Sequence, residues 1–249
     1  MALGIKLARV AIIITIFALW EALSRSGIVN PRLLPAASDT LAMLGQLLQR
    51  ASVRNDLAVT ASEVLTAFAL AVPFGALVGF LIAENRYFAE VVKPLLFFAF
   101  SIPKSIFLPM FILVFGVGFA QKVGFGFFST IFIVIMSTTT AVEQVKVEYL
   151  TVARSYGATS AQTALRVYLP SMLPVLLEAL RISMIFNLTG VILAEMYASR
   201  DGIGHQIASW GENFQMKQLL AGVVMIATIA IAFNELVRWV ETRCSHWRT

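Results

Sequence analysis

The chain has 249 residues, of which 59% are apolar and only 13% are charged, and its mean hydropathy is +0.82. Soluble domains carry roughly 25% charged residues, so this composition excludes an ordinary soluble domain and a disordered or collagen-like chain. A single cysteine, Cys244, excludes an intrachain disulfide. The net charge of +5 comes from lysines and arginines that stand singly between apolar runs, which indicates membrane topology signals rather than nucleic-acid binding.

Six apolar segments are long enough to cross a membrane, which takes about 20 residues in a helix. The predicted spans cover about 7–23, 57–83, 92–115, 125–142, 172–198 and 218–238. Unbroken apolar runs are not the alternating pattern of a barrel, and an open sheet cannot cross lipid. We therefore predict an all-α membrane protein with six transmembrane helices in one domain, residues 1–249.

The first segment and the basic residues set the expected topology. Lys6 and Arg9 before a short apolar run also fit a signal peptide, but no clear small-x-small cleavage site follows and Glu21 would lie badly at its end, so we expect a retained helix. With the N-terminus in the cytoplasm, ten basic residues flank the inner face and seven, among them Lys122, flank the outer face. This bias favours cytoplasmic N- and C-termini.

The polar segment 143–171, between spans four and five, is predicted to form two short helices. Gly157 is placed to end the first helix, and Thr159 with Gln162 forms a Thr-x-x-Gln capping box that begins the second. Pro170 marks the approach to span five. Such a helix-turn-helix is either an amphipathic hairpin lying on lipid headgroups or a rigid knob that fits a groove of a partner protein.

The same segment resembles the cytoplasmic signature of ATP-binding-cassette (ABC) importer permeases, which is Glu-Ala-Ala, three residues, Gly, nine residues, Ile-x-Leu-Pro. Nine residues separate Gly157 from Val167-Tyr168-Leu169-Pro170, whereas Thr151-Val152-Ala153 stands in place of Glu-Ala-Ala. The segments Ser101–Gly118, EALRIS (178–183), AEM (194–196) and DGIGHQI (201–207) resemble the nitrate/sulfonate/taurine-type branch of that family.

This resemblance implies the type I ABC importer permease fold, with the helix-turn-helix as a coupling element. It implies a homodimer in the bacterial inner membrane, lipid around it, two ABC ATPase subunits inside, and a periplasmic or lipid-anchored substrate-binding protein outside. ATP and Mg would be bound by the ATPase subunit, and this chain contains no Gly-x-x-x-x-Gly-Lys-Ser/Thr loop. The implied activity is import by alternating access of a small organic or inorganic anion, such as a sulfonate, taurine or nitrate. An aromatic carboxylate or a vitamin precursor is the alternative solute.

Three groups of candidate site residues follow, without a catalytic residue, a cofactor or a metal site in the chain itself. The ATPase-coupling group consists of Thr151, Ala153, Arg154, Ser155, Tyr156, Gly157, Ala158, Thr159, Ser160, Leu169 and Pro170. The candidate translocation path consists of Pro103, Lys104, Asn187, Thr189 and Glu195. The candidate docking group for the binding protein consists of Arg32, Arg200, Asp201 and Lys217.

Lys104 is the most informative of the path residues. A charge inside the membrane costs roughly 2.5 kcal/mol or more and is usually tied to a pathway or a partner. About ten residues separate Lys104 from Pro94, which places it roughly 15 Å into span three. It either faces the path and attracts an anion or pairs with an acid such as Glu63. An ion-coupled secondary transporter or a channel is the rival function, and it predicts inverted repeats and more intramembrane acids than this chain contains.

Overall fold

The computed structural model describes the backbone of residues 2–244 and the side chains of residues 7–239. This part of the chain is helical without a strand. The helices are α1 Ala2–Arg25, α2 Ala37–Gln49, α3 Ala51–Glu84, α4 Arg86–Ser101, α5 Leu108–Phe115, α6 Phe119–Glu143, α7 Val147–Ser155, α8 Ser160–Thr163, α9 Leu169–Tyr197, α10 Ile203–Glu212 and α11 Met216–Cys244. A 3₁₀ turn, Lys104–Phe107, precedes α5, and a π-helical turn, Ala164–Tyr168, joins α8 to α9.

Within the described residues, five helices are long and apolar enough to cross a membrane, and a bent pair makes a sixth span. The predicted third span, 92–115, is a broken span, because α4 and the segment Lys104–Phe115 meet at an angle of 78°. The break has a local cause. Pro103 disfavours helical backbone at the residue before it, and Ile102 is extended with φ −72° and ψ 127°.

Two other predicted boundaries also differ from the structure. Helix α6 begins at Phe119 rather than near 125, so it includes Lys122, which is 3% exposed instead of lying on the outer surface. The helix that carries the fifth predicted span starts before 172, because the π-helical turn makes the helical segment continuous from Ser160 to Tyr197. Pro170 lies in the first turn of α9, directly after that π-helical turn.

The centre of the molecule is the packing of α3, α6 and α9. Thr139 Oγ1 on α6 donates to the backbone oxygen of Gly79 on α3 at 3.2 Å. A Cβ at Gly79 would lie 2.6 Å from the backbone oxygen of Ile135, so the glycine is what lets the helices approach. Asn187 Nδ2 on α9 donates to the backbone oxygen of Val64 on α3 at 2.7 Å. Small residues and interhelical hydrogen bonds of this kind hold membrane helices together.

The connection between α6 and α9 and the connection after α9 lie at opposite ends of this three-helix packing. The end of α6 packs with the start of α9 around Val142 and Met172, and the start of α6 packs with the end of α9 around Phe125 and Ala194. The two helices are therefore antiparallel. The hairpin formed by α7 and α8 lies at one end, called here the hairpin end, and α10 lies at the other, called the cap end.

The cap end contains two helices, α2 and α10, that the span prediction did not include. Together with α3 and α11 they enclose an apolar cluster with a buried tryptophan, Trp210. The buried residues of the cluster are Leu47, Val53, Ile203, Ile207, Trp210, Ala221 and Met225. By contrast α1 buries little of its surface, and most of its apolar side chains remain exposed for lipid or a neighbouring chain.

Candidate functional site

The turn of the hairpin is closed by a Schellman motif. Gly157 has φ +71°, in the left-handed region, and its N–H donates to the backbone oxygen of Arg154 at 2.9 Å. The N–H of Ala158 donates to the backbone oxygen of Ala153 at 3.0 Å. These two bonds satisfy the last carbonyls of α7, and only glycine adopts this backbone without a steric cost.

The predicted capping box at the start of α8 is confirmed. Thr159 Oγ1 accepts from the N–H of Gln162 at 3.3 Å, and Gln162 Oε1 accepts from the N–H of Thr159 at 2.9 Å. The Schellman motif ends at Ala158, directly before Thr159, so the backbone groups at both ends of the turn are hydrogen-bonded. The turn is therefore a shape fixed by its own backbone.

The hairpin is anchored at its base and exposed at its tip. Tyr168 packs edge-on against Phe80 with ring centroids 5.5 Å apart, beside an apolar cluster that includes Val145 and Met172. Tyr156 at the tip is 88% exposed. Of the eleven predicted coupling residues, Ala153, Ala158 and Pro170 are half-buried and the other eight are exposed. The geometry is that of a rigid projecting surface.

The break in the third span opens a cavity of about 480 Å³ against α6 and α9. Its lining includes Phe100, Pro103, Lys104, Ser129, Phe186 and Thr189. The structure thus brings together three of the five predicted path residues, Pro103, Lys104 and Thr189. It also adds three phenylalanine and three serine side chains that the sequence pattern did not single out as path residues.

Lys104 reaches this cavity from the 3₁₀ turn. Its Nζ donates to the backbone oxygen of Phe100 at 3.1 Å and lies 4.2 Å from the centre of the Phe100 ring. The alternative in which Lys104 pairs with Glu63 is wrong, because the carboxylate of Glu63 accepts from Lys122 at 2.5 Å. Lys104 is 41 positions from Glu63 in the sequence and Lys122 is 59, and no local pattern shows which of the two lysines pairs with that carboxylate.

The other two predicted path residues lie apart from the cavity lining. Asn187 is fully buried and bonded to α3, as described above. Glu195 is also fully buried, and its Oε2 accepts from the N–H of Gly204 at 2.7 Å. Both side chains hold helices together at positions where an unpartnered polar group would be costly.

Glu195 belongs to a buried polar cluster with Glu63, Lys122 and Thr60. The ion pair of Lys122 with Glu63 is 4% and 1% exposed. Thr60 Oγ1 has one proton but two acceptors within reach, the backbone oxygen of Asp56 at 3.0 Å and Glu195 Oε1 at 2.6 Å, and it also accepts from a backbone N–H. All these bonds form together when Glu195 carries a proton and donates it to Thr60.

Sequence reasoning named Glu63, Lys122 and Glu195 in separate roles, did not name Thr60, and missed their association. The sequence suggests Glu63 as a partner for Lys104 and places Lys122 at the outer face. A sequence signal for Lys122 was its position three residues before the predicted start of span four at 125, so that a fourth span longer by one turn would include it. The amphipathic helix α2 had a clearer signal, since Leu41, Leu44 and Leu48 repeat at helical spacing.

The predicted docking residues lie at or near the cap end. Arg32 and Lys217 line the same surface groove of about 610 Å³, together with Phe214. Lys217 also forms an ion pair with Asp39 at 2.8 Å. Arg200 and Asp201 lie in the loop between α9 and α10 and do not line this groove, so the structure joins two of the four residues.

Between residues 2 and 244, no group of three or more histidine, cysteine, aspartate or glutamate side chains is arranged to hold a metal ion. In the described chain, polar side chains form contacts between helices, line a cavity, and lie on the exposed surfaces of the hairpin and the cap end.

Comparison with known proteins gives a consistent set of matches. The sequence profile of the family described as "Binding-protein-dependent transport system inner membrane component" matches residues 71–246. The taurine transport system permease protein TauC of Escherichia coli is 26% identical over 98% of this chain and 89% of its own length. The putative aliphatic sulfonates transport permease protein SsuC of Bacillus subtilis is 24% identical over 94% of this chain and 84% of its own length.

A third relative and a solved structure extend the comparison. The formylaminopyrimidine transport permease protein ThiX of Halalkalibacterium halodurans is 25% identical over 92% of this chain and 91% of its own length. A chain of the inward-facing MetNI methionine ABC transporter superposes with a TM-score of 0.63 at 20% identity, covering 82% of this chain and 97% of that one. At 20% sequence identity, this superposition shows a shared fold only.

Proposed function

The chain belongs to the family of binding-protein-dependent transport system inner membrane components, and from this premise we propose that it carries a small anion into a bacterial cell. As a member it is the permease subunit of an ABC importer, of the nitrate/sulfonate/taurine type. The observation that carries the mechanism is the hairpin, whose turn is fixed by two capping motifs and whose tip projects into solvent.

The hairpin is the proposed contact for a separate ABC ATPase subunit. A knob transmits force only when its shape is fixed, and the Schellman motif with the capping box fixes it. Exposed Tyr156 and the surrounding small residues form a surface that a groove can enclose. Two ATPase subunits, which bind ATP and Mg, would move two hairpins, and the anchored base around Tyr168 would pass that motion to α9.

The cavity beside Lys104 is the proposed translocation path, and its exposure supports a homodimer. Thr189, Ser101 and Ser105 are exposed in this chain, although they belong to membrane-spanning segments. Polar side chains and a lysine are costly against lipid. A second copy facing this surface would enclose a water-filled path between two such cavities.

The cap end is the proposed contact for a periplasmic or lipid-anchored substrate-binding protein. This assignment places both termini and the hairpin in the cytoplasm, with Arg32, Lys217, Arg200 and Asp201 outside. The basic groove at Arg32 and Lys217 suits an acidic surface on the binding protein. In this orientation the cap end faces outward from the inner membrane. The binding protein would deliver solute only to the outward-open state of the permease.

The solute class follows from the lysine and from the relatives. Lys104 is the charged side chain that lines the cavity, and it favours an anion. Relatives named for taurine and aliphatic sulfonates support a sulfonate-like solute, whereas the relative named for formylaminopyrimidine keeps a vitamin precursor as the alternative.

Co-purification tests the proposal. The permease, tagged and expressed with the ATPase and binding protein of its own genome neighbourhood, should retain the ATPase through detergent extraction, and the binding protein should stimulate ATP hydrolysis in proteoliposomes. A Tyr156→Asp change at the exposed tip should release the ATPase, whereas Leu113→Ala on the exposed flank of α5 should not. A transporter that takes up solute with an ion gradient and without the ATPase would overturn the assignment.

A further inference from the structure

We infer that Asp56, Thr60 and Glu195 are the positioning residues that couple the cap end to the hairpin, because they hold α10 to the two helices that reach the hairpin base. The inference rests on the proposed function, in which the binding protein docks at the cap end and the ATPase at the hairpin. It assigns the passage of the docking signal to side chains of α3 and α9 that line neither contact surface.

The first backbone N–H groups of α10 are bonded to side chains of other helices. A helix leaves its first N–H groups without a partner in its own backbone, and the side chain of the residue before the helix is the usual acceptor. That residue is Gly202 here, which has no side chain. Three side chains of α3 and α9 accept the N–H groups instead, in the pairs Gly202 with Asp56 Oδ1 at 3.0 Å, Ile203 with Thr60 Oγ1 at 2.9 Å, and Gly204 with Glu195 Oε2 at 2.7 Å.

The contact between α10 and these side chains is also close. Gln206 Nε2, in the next turn of α10, donates to Asp56 Oδ2 at 2.8 Å, so one carboxylate holds α10 at two points. Gly202 has φ +103°, and a Cβ there would overlap Glu195 Oε1. A Cβ at Gly204 would lie 2.8 Å from the Cβ of Glu195. The start of α10 therefore has little room to shift while these bonds remain.

The two helices that hold α10 also meet at the hairpin base. Helix α3 is continuous from Asp56 to Phe80, and the ring of Phe80 packs against Tyr168. From Tyr168 the chain is helical to Glu195, 27 positions later and roughly 40 Å along the axis at about 1.5 Å per residue. At the cap end Thr60 Oγ1 lies 2.6 Å from Glu195 Oε1. Because the two helices are joined at both ends, a shift of α10 is passed to the hairpin.

The other side of α10 carries the proposed docking surface. Ile207 and Trp210 pack in the apolar cluster with α2 and α11, and a Cβ at Gly222 of α11 would lie 2.9 Å from each of these two side chains. The groove that contains Lys217 is lined by Phe214, two positions after the end of α10. A protein that binds this groove therefore acts on a block of α2, α10 and α11, and the four hydrogen bonds described above attach that block to α3 and α9.

ATP hydrolysis in proteoliposomes, titrated with the binding protein, tests the inference. The two measured quantities are the maximal stimulation over each variant's own basal rate and the concentration of binding protein that gives half of it. Asp56→Ala removes two bonds, each worth a factor on the order of two to ten in an equilibrium, so most of the maximal stimulation should be lost. The half-saturating concentration should not rise, because the docking groove keeps its lining.

Conservative variants at the same positions should retain the stimulation. Asp56→Asn keeps an acceptor for the N–H of Gly202, and its amide can still bond to Gln206 when the amide of that glutamine is turned. Thr60→Val and Thr60→Ser form a second matched pair, because only serine keeps the hydroxyl that accepts from α10. Thr60→Val should therefore lose the stimulation and Thr60→Ser should retain it. Glu212→Ala, at the exposed end of α10, is the control and should be stimulated like the unsubstituted protein.

A chemical bridge separates positioning from stability. In a Cys244→Ser background, Asp56→Cys with Gln206→Cys should show the low stimulation of Asp56→Ala. Joining the two thiols with a short bis-methanethiosulfonate reagent should restore the stimulation, and reduction should remove it again.

Three results would each overturn the inference: full stimulation of Asp56→Ala, a raised half-saturating concentration with a normal maximum, or no recovery on bridging. A binding protein that fails to stimulate the unsubstituted transporter would overturn the proposed function, and this inference with it, so the two failures are distinguishable.

Discussion

The buried cluster around Lys122 predicts a large loss of stability for one Glu→Gln substitution and a small change for another. Glu63→Gln removes the charge that pairs with Lys122 at 2.5 Å, where the two side chains are 1% and 4% exposed. Leaving one member of a buried ion pair without its partner costs about 3–5 kcal/mol. Glu195→Gln instead keeps an acceptor for the N–H of Gly204 and offers a donor toward Thr60, as a protonated Glu195 would.

The magnitudes separate the two variants clearly. A glutamine at 195 donates its N–H to Thr60 and accepts from Gly204, so its cost should stay within about 1 kcal/mol, the net value of one hydrogen bond. A loss of 3–5 kcal/mol at 63 corresponds to roughly 6–20 °C in midpoint, taking about 2–4 °C per kcal/mol for a domain of this size. Glu195→Gln should change the midpoint by a few degrees at most.

Thermal denaturation in detergent, followed by the loss of the monodisperse peak in size-exclusion chromatography, measures both effects. The double variant Glu63→Leu with Lys122→Met is the control, because replacing a whole buried ion pair by apolar groups is often neutral or better. It should recover most of the loss of Glu63→Gln. Equal destabilisation by the two glutamine variants would refute the proton on Glu195, and an unchanged midpoint for Glu63→Gln would refute the ion pair.

Three further changes have distinct expected outcomes. Gly157→Arg should abolish uptake and ATPase retention while the permease stays folded in size-exclusion chromatography, since φ +71° disfavours a side chain and the partner must approach there. Asn187→Leu should lower the denaturation midpoint by an amount equivalent to about 1 kcal/mol, because it removes the bond to Val64, whose carbonyl oxygen remains within the helical hydrogen bonds of α3. Charge reversal at Arg32 and Lys217 together should weaken stimulation of the ATPase by the binding protein in a titration, with basal hydrolysis unchanged.

Features set by a few neighbouring residues could be predicted from the sequence. The capping box depends on Thr159 and Gln162, three positions apart, and the helix end at Gly157 depends on a single glycine, so both are visible in the chain. The apolar runs gave the number of spans for a similar reason, since each helix satisfies its own backbone. Membrane helices are the case in which local composition carries the most information.

Partnerships between distant segments could not be predicted. Lys122 is 59 positions from Glu63, and nothing local distinguishes it from Lys104 as the partner. Which polar side chains of α9 face the cavity also depends on the rotation of that helix against α3 and α6. Thr189 faces the cavity, whereas Asn187, two positions earlier and therefore on another side of the helix, faces α3.

The π-helical turn Ala164–Tyr168 gives the last prediction, because it lies where the hairpin joins α9. A π turn contains one residue more than the α-helical register needs, and such turns are frequent at functional sites. Deleting Arg166 should restore the α register and rotate the hairpin by about 100° relative to α9, the angle per residue of an α-helix. Uptake should then be lost although the permease still folds, and Arg166→Ala, which keeps the length, should transport normally. A deletion variant with normal uptake would mean that the orientation of the hairpin relative to α9 does not matter for coupling.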